Sequence, residues 1–435
     1  MHSSGATADR LKGNRKFDRM LWTQRLESVF PEGQHVFPNW RSYLETPGVP
    51  HLEPGAEVPT RLTPVPKTAK GPRLIAIEPT CMQFVQQGLL HAIESEIGKD
   101  NILTTLIGWH DQTPNQRFAM LGSLSGKFAT LDLKEASDRL SSQLVRMMTS
   151  NHPLLAEAVD ACRSRKVDVP GHGVYRIAKF ASMGSALTFP FESMAFMAII
   201  FSAISQALST RPTHKLLSTL IGQVRVYGDD IIVPVEFVQC VIDELQTFGF
   251  VVNVRKSFYT GRFRESCGKE YYGGHDVSIV KLRRRLPTSR TECSELISAV
   301  SFRNQLKLLG FETTVEYLDK EISKLIPFPK VLDTSPVLGR VDNDGLYEVH
   351  RWDLNLQRPL VRGVVDSSKL PVSRLDGWFA LHKFFISNMR KDELLIEYAP
   401  ANDYKHNLPV VDEDHLYRSG RPVSVDIKTR WASPL

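Results

Sequence analysis

Two adjacent acids between β-branched arms constrain this chain more than any other feature. In "VRVYGDDIIVPVEF", Val224–Phe237, Asp229 and Asp230 fall where the flanking residues read as the arms of a short hairpin. Side chains alternate faces along a strand, and tight turns favour Gly and Asp, so the pair is expected at the tip. Like charges side by side repel. A fold that keeps such a pair needs something to neutralise it.

A third acid falls at the end of another strand. "GKFATLDLKEASDRLSSQLVRMMTS" reads as a strand, Phe128–Leu133, running into a helix that starts near Ser137, with Leu140, Leu144, Met147 and Met148 at helical spacing. Asp132 then lies at the carboxyl end of a strand and meets Asp229 and Asp230 if the two strands are neighbours. Three convergent carboxylates suit a hard divalent cation, which takes oxygen ligands and borrows others from substrate phosphates. Mg²⁺ is the expected ion, with Mn²⁺ as a substitute. Two such ions can activate an attacking hydroxyl and stabilise a departing pyrophosphate oxygen in an in-line displacement.

Composition narrows the alternatives. An apolar share of 42% and a charged share of 23% describe a globular chain, and a formal net charge of +6 permits an anionic partner without requiring one. The five cysteines are scattered without a C-x-x-C pair, which supports neither a zinc knuckle nor a disulfide framework and fits a reducing compartment. The 13 histidines show no H-E-x-x-H pattern. The first twenty residues lack the apolar core of a signal peptide, so secretion is not expected. Ser193–Thr210 runs 18 residues without a charge, the lower limit for a membrane span. Glu192 abuts it, and Ser and Gln interrupt it, so it reads as a helix buried in a large core.

No internal repeat is visible. A Pro-rich basic stretch over about 45–80 contains a strand at "RLIAI", followed by a helix around Met82–Ile97. A looser stretch covers about 150–180. After the hairpin, "VEFVQCVIDELQTFGF" reads as a helix closed by Gly249, then short strands and turns, then helices beyond about 290. Strands and helices mix without regular βαβ alternation, which favours an α+β architecture.

In chain order, "LDLKEASDRLS", "SMGSALTF" and "YGDD" resemble palm motifs A, B and C of an RNA-dependent RNA polymerase. More narrowly, "PKTAKGPRLIAIEP", "DQTPNQR" and "FRESCGKEYYGGHDV" resemble the replicase β subunit of single-stranded RNA bacteriophages, the leviviral group, from about Pro64 to Ile279. The resemblance implies a right-hand polymerase with fingers, a palm built on an antiparallel sheet, and a helical thumb. Its implied divisions are 1–125 for the N-terminal region and fingers, 126–150 for the palm with motif A, and 151–178 for a fingers insert. The palm with motifs B to E would follow over 179–290, and the thumb and C-terminal region over 291–435.

The implied activity is RNA-directed RNA synthesis from ribonucleoside triphosphates. Asp132, Asp229 and Asp230 would hold the metals, and Lys256 would be the motif D general acid, with adjacent Arg255 as the alternative inward residue. Lys67, Lys70 and Arg73 match the basic finger motif that grips the triphosphate. Asp138 would face the incoming ribose, with Ser182, Gly184 and Thr188 of motif B nearby. Glu192 stands where many polymerases have a ribose-binding Asn, so no such Asn is assigned. Cys267 reads as a packed small residue rather than a nucleophile. Lys281–Arg290 either contacts duplex phosphates or is a solvated charge run.

The family also implies host translation elongation factors and a ribosomal RNA-binding protein as partners, no membrane, and action in the cytoplasm of a bacterial host. Two other functions remain open at this level: a reverse transcriptase-like palm polymerase, and a non-catalytic RNA-binding protein that retains the fold.

Overall fold

The computed structural model describes residues 2, 5–18, 20–45, 48–68, 71–369, 372–386 and 424–435, with backbone alone at 66–68 and 71. The chain divides into two units, Met1–Ser278 with Ser373–Ser419, and Ile279–Val372 with Gly420–Leu435. Both mix helices and strands, an α+β architecture.

The first unit is organised around the helix Thr188–Ala207. It is long and apolar enough to cross a membrane, but 72% of its apolar window is buried inside the protein. Phe191, Phe196, Ile200 and Ile204 are almost fully buried along it. Each contributes on the order of 1.5–3 kcal/mol by leaving water, which holds the helix in place. Phe196 meets Phe250 edge to face at 4.9 Å, tying this helix to the end of the helix Val238–Thr247.

Against it lies an antiparallel sheet in the order Phe128–Leu131, Asp230–Pro234, Arg225–Tyr227. Ile231 pairs with Leu131 and Val233 with Ala129, and these arms are buried because β-branched and aliphatic side chains fill both faces. The hairpin predicted at Val224–Phe237 is present, and Gly228 and Asp229 form its two-residue turn. Gly228 has φ +58, the positive value that the first position of such a turn requires.

Other elements differ from the sequence expectation. The strand expected over Phe128–Leu133 breaks at Asp132: Leu133–Lys134 leaves the first sheet and pairs instead with Val251–Val252. The helix expected from Ser137 is two helices, Ala136–Arg139 and Ser142–Thr149, and the Ser141 side chain caps the second by accepting from the Leu144 N–H. The stretch expected to be loose, 150–180, contains the helix Pro153–Cys162 and the strands Lys166–Val169 and Gly173–Arg176. Those strands extend the sheet made by Thr60–Thr68 and Gly71–Ile77. The helix expected at Met82–Ile97 is Thr80–Gly98.

In the second unit the helices Cys293–Leu308 and Glu312–Leu325 pack through Leu296, Val300, Val315, Leu318 and Ile322. A four-stranded sheet accompanies them, built on Arg358–Lys369, whose long partner is Ser424–Ala432. This sheet departs from the expectation of helices beyond about 290. The buried Arg303 guanidinium is paired with Asp319 at 2.6 Å and Asp342 at 3.1 Å, which offsets the cost of its burial. Within "DGWFALHKFFI", residues 377–386 form a helix that belongs to the first unit, where Lys383 donates to Asn14 at 2.7 Å.

Candidate active site

Antiparallel pairing puts Ile231 opposite Leu131, so the residues next outward, Asp230 and Asp132, face each other across the end of the sheet. Asp229 is exposed at the turn, and Asp132 and Asp230 are half-buried. Two distant strands therefore deliver three carboxylates to one edge, as the hairpin reading requires.

Each acid is held by groups far away in sequence. The Asn253 side chain donates to Asp132 Oδ2 at 2.7 Å, and its backbone N–H donates to the Asp132 carbonyl at 2.8 Å. Ser257 Oγ accepts from the Asp132 N–H at 3.1 Å. The segment from Asn253 to Phe258 thus brackets Asp132, which explains how this residue keeps its place at the break between two strands. Asp230 Oδ1 accepts from the Cys267 N–H at 3.0 Å and from Ser266 Oγ at 3.2 Å. Both bonds land on Oδ1, and the Cys267 thiol is a further side-chain partner of this carboxylate.

The hairpin Phe263–Ser266 with Lys269–Tyr272 carries Cys267 at its tip, where φ is +48. Arg264 anchors that hairpin: it is fully buried and donates to the Phe128 carbonyl at 2.6 Å. Burial, together with Asp230, pushes the Cys267 thiol up to about 12, which fits a packed, neutral side chain rather than a nucleophile.

The turn itself is locked from the long helix. Ser193 Oγ accepts from the Gly228 N–H at 3.1 Å, and Phe189 meets Tyr227 edge to face at 5.1 Å. A Cβ on Gly228 would lie 2.6 Å from the Phe189 ring. From the other side, the buried Asn115 donates to the Asp230 carbonyl at 3.2 Å and accepts from Arg225 Nε at 3.0 Å. Asn115 lies in "DQTPNQR", so that stretch is a brace for the hairpin.

Burial pushes the Asp230 carboxyl above its ordinary range, and neighbouring Asp229 adds to the rise. Glu192, only 6% exposed, is pushed up to about 8 by burial, then by Asp229 and Asp138. Neighbouring acids thus add to both rises, and a cation placed among them would relieve that repulsion. The donor set is made of hard oxygens and fits a divalent ion. The three aspartates do not close to within 4.8 Å of one another; among the described residues that spacing is met by Glu27, Glu32 and His51. In that trio His51 contacts Glu32 at 2.9 Å.

The remaining sequence-predicted residues lie as follows. Asp138 is exposed and ion-paired with Lys179. Ser182 and Thr188 are buried, and the Thr188 hydroxyl donates to the Ser182 carbonyl at 2.9 Å, closing the loop on itself. Gly184 has φ +140, and a Cβ there would fall 2.0 Å from the Ala76 carbonyl, so its close approach is to the strand Gly71–Ile77. The Ala186 N–H donates to the buried Gln86 side chain at 3.2 Å, a further tie between this loop and the helix Thr80–Gly98. Lys256 and Arg255 are both exposed in the turn that follows Asn253. Arg73 is exposed, whereas Lys70 and the side chain of Lys67 lie outside the described residues. Asn253, Ser257, Ser193, Asn115 and Arg264 were not singled out by sequence, since each acts on a partner more than thirty residues away.

A family model, "RNA replicase, beta-chain", matches residues 56–298. The RNA-directed RNA polymerase subunit beta of Escherichia virus Qbeta is 37% identical over 222 residues, covering 51% of this chain and 35% of the relative. The RNA-directed RNA polymerase beta chain of Enterobacteria phage fr is 32% identical over 268 residues, covering 60% and 44%. That of Escherichia phage MS2 is 36% identical over 220 residues, covering 51% and 37%. The matched stretch thus spans less than half the length of each of these relatives. Among solved structures, the RNA-dependent RNA polymerase of a human picobirnavirus aligns with a TM-score of 0.42 at 13% identity, covering 62% of this chain and 57% of the other. That of bacteriophage phi12 aligns at 0.40 and 12% identity, covering 60% and 46%.

Proposed function

This chain belongs to the RNA replicase β-chain family, and from that premise we propose that it is the catalytic chain of an RNA-directed RNA polymerase, copying RNA from ribonucleoside triphosphates. The observation that carries the reading is the pairing of Phe128–Leu131 with Asp230–Pro234, which sets Asp132 opposite Asp230 and beside the exposed Asp229.

Asp132, Asp229 and Asp230 would hold two Mg²⁺ ions, with Mn²⁺ as a substitute. When bound, such ions supply Lewis acidity to the attacking hydroxyl and to the departing pyrophosphate. A pair of ions about 3.5–4 Å apart spans a wider set of ligands than one ion does, which suits carboxylates that do not crowd together.

The chain's own residues do the positioning. Asn253 orients the Asp132 carboxylate, and Cys267 and Ser266 hold Asp230 through Oδ1. Exposed Lys256, on the turn that carries Asn253, is the general acid of this proposal, and its ammonium proton would go to the leaving pyrophosphate. Asp138 would read the ribose 2′-hydroxyl. Arg73, with Lys67 and Lys70, would complement the triphosphate charge.

The lobes of this proposal are fingers in 1–125 and 151–178, palm in 126–150 and 179–290, and thumb from 291 onward. RNA and triphosphates are its substrates, and the interior of an infected bacterium its setting. Host elongation factors and a ribosomal RNA-binding protein remain expected partners of the same proposal.

The test is incorporation of a labelled ribonucleotide on a short RNA template by the purified chain, with and without bacterial lysate. Mg²⁺-dependent product that disappears with Asp229→Asn supports the proposal. Product that survives Asp229→Asn overturns the metal assignment. Preferential incorporation of deoxyribonucleotides would point to a reverse transcriptase, and RNA binding without product under any condition to a non-catalytic protein.

A further inference from the structure

The second unit contains a cleft of about 380 Å³ whose lining residues all belong to that unit. We propose that it is a separate RNA site, which takes the phosphate backbone of a single strand and stacks a base on Phe302. The choice of RNA as ligand rests on the polymerase reading; the cleft itself uses none of the aspartates.

One wall is the strap Lys281, Arg283 and Arg284. Arg284 is engaged by Glu295 at 3.3 Å. Lys281 and Arg283 have no carboxylate among the described residues within ion-pairing distance and are exposed, so their charge is available to a ligand.

The cleft is also lined by one face of the helix Cys293–Leu308. Ser294, Ser298, Ser301 and Gln305 follow one another at spacings of four, three and four, which stacks them in a single row. At 1.5 Å per residue that row is about 16 Å long. A row of hydroxyl and amide groups in one cleft with a strap of cations suits a chain of repeating phosphates better than a single small anion. Such side chains bond phosphate and sugar without selecting a base. Phe302, half-buried in the same cleft, supplies the apolar face on which a base can stack. Cations tracking a backbone beside an aromatic platform are the recurrent means of holding single strands.

The experiment uses the full chain and a fluorescein-labelled oligouridylate, read by fluorescence anisotropy without divalent ion across a salt series. Lys281→Ala with Arg283→Ala is expected to weaken binding roughly tenfold and to flatten the slope of log affinity against log salt by about one to two. Phe302→Leu, which keeps the wall apolar, is expected to weaken binding about fivefold with the slope unchanged. A 4-thiouridine oligonucleotide should crosslink to wild-type residues within 281–305, a readout that does not depend on how the variants fold. Loss of RNA binding in the cleft variants supports the site even if the chain makes no product. Unchanged affinity and slope in the double variant, absence of crosslinks in 281–305, or equal competition by duplex RNA overturns it, whatever the outcome for polymerisation.

Discussion

The Asn253 amide donates to Asp132 Oδ2 at 2.7 Å, across 121 positions of sequence. This bond, with the Ser257 hydroxyl accepting from the Asp132 N–H, fixes a carboxylate that sits where the strand breaks. Partners that orient metal-binding carboxylates commonly matter 10- to 100-fold. Asn253→Ala should therefore lower nucleotide incorporation by about that range, while circular dichroism shows an intact fold. Unchanged turnover would mean that Asp132 needs no such support.

Gly228 is the second point at which geometry makes a firm demand. Its φ of +58 is costly for any residue with a Cβ, and that Cβ would meet Phe189 at 2.6 Å. Gly228→Ala should cost about 1–3 kcal/mol of stability in thermal or denaturant unfolding. It should also depress incorporation, because Asp229 and Asp230 move with the turn. Phe189→Leu in that background should relieve the steric part alone.

Glu78 gives a pH prediction away from the aspartates. Burial raises its carboxyl from 4.5 to about 7, opposed by hydrogen bonds from Ser164 and Gln86. Between those two values the folded chain binds the proton more tightly than the unfolded chain does. Its contribution to stability is therefore fully present below about 4.5 and declines as pH rises toward 7. Glu78→Gln should show a flatter dependence of melting temperature on pH than wild type across that window. Parallel curves would contradict it.

Asp138 is paired with Lys179 and adds to the charge felt by Glu192. If Asp138 reads the ribose, Asp138→Ala should reduce the preference for ribo- over deoxyribonucleotides on one RNA template. Lys179→Ala, which leaves the acid without this partner, should move the same ratio in the same direction but less far. A ratio unchanged in both variants would assign the pair to the surface.

The parts of this site legible in the sequence are those with local causes. The hairpin at Asp229 and Asp230 could be read because β-branched arms and a Gly-Asp turn are neighbours in the chain. Whether Asp132 stands beside them could not, since strand adjacency is a non-local choice made by packing, here against the helix Thr113–Ser125, which touches all three strands of the sheet. Asn253, Ser257 and Arg264 were hidden for the same reason. The stretch 150–180 reads as loose in the sequence, although Pro153 at a helix start is a usable signal. Its second strand, Gly173–Arg176, is exposed along its whole length, so it lacks the alternation that marks a half-buried strand.

The central claim is that acids from two separate strands hold paired divalent ions. Its most direct measurement is Mn²⁺ binding to the full chain, followed by electron paramagnetic resonance with a non-hydrolysable ribonucleoside triphosphate present. Two ions per chain, a spin-coupled signal, and loss of that signal in both Asp132→Asn and Asp229→Asn are expected. An Mn²⁺ signal of the same stoichiometry and shape in wild type and both variants would contradict it.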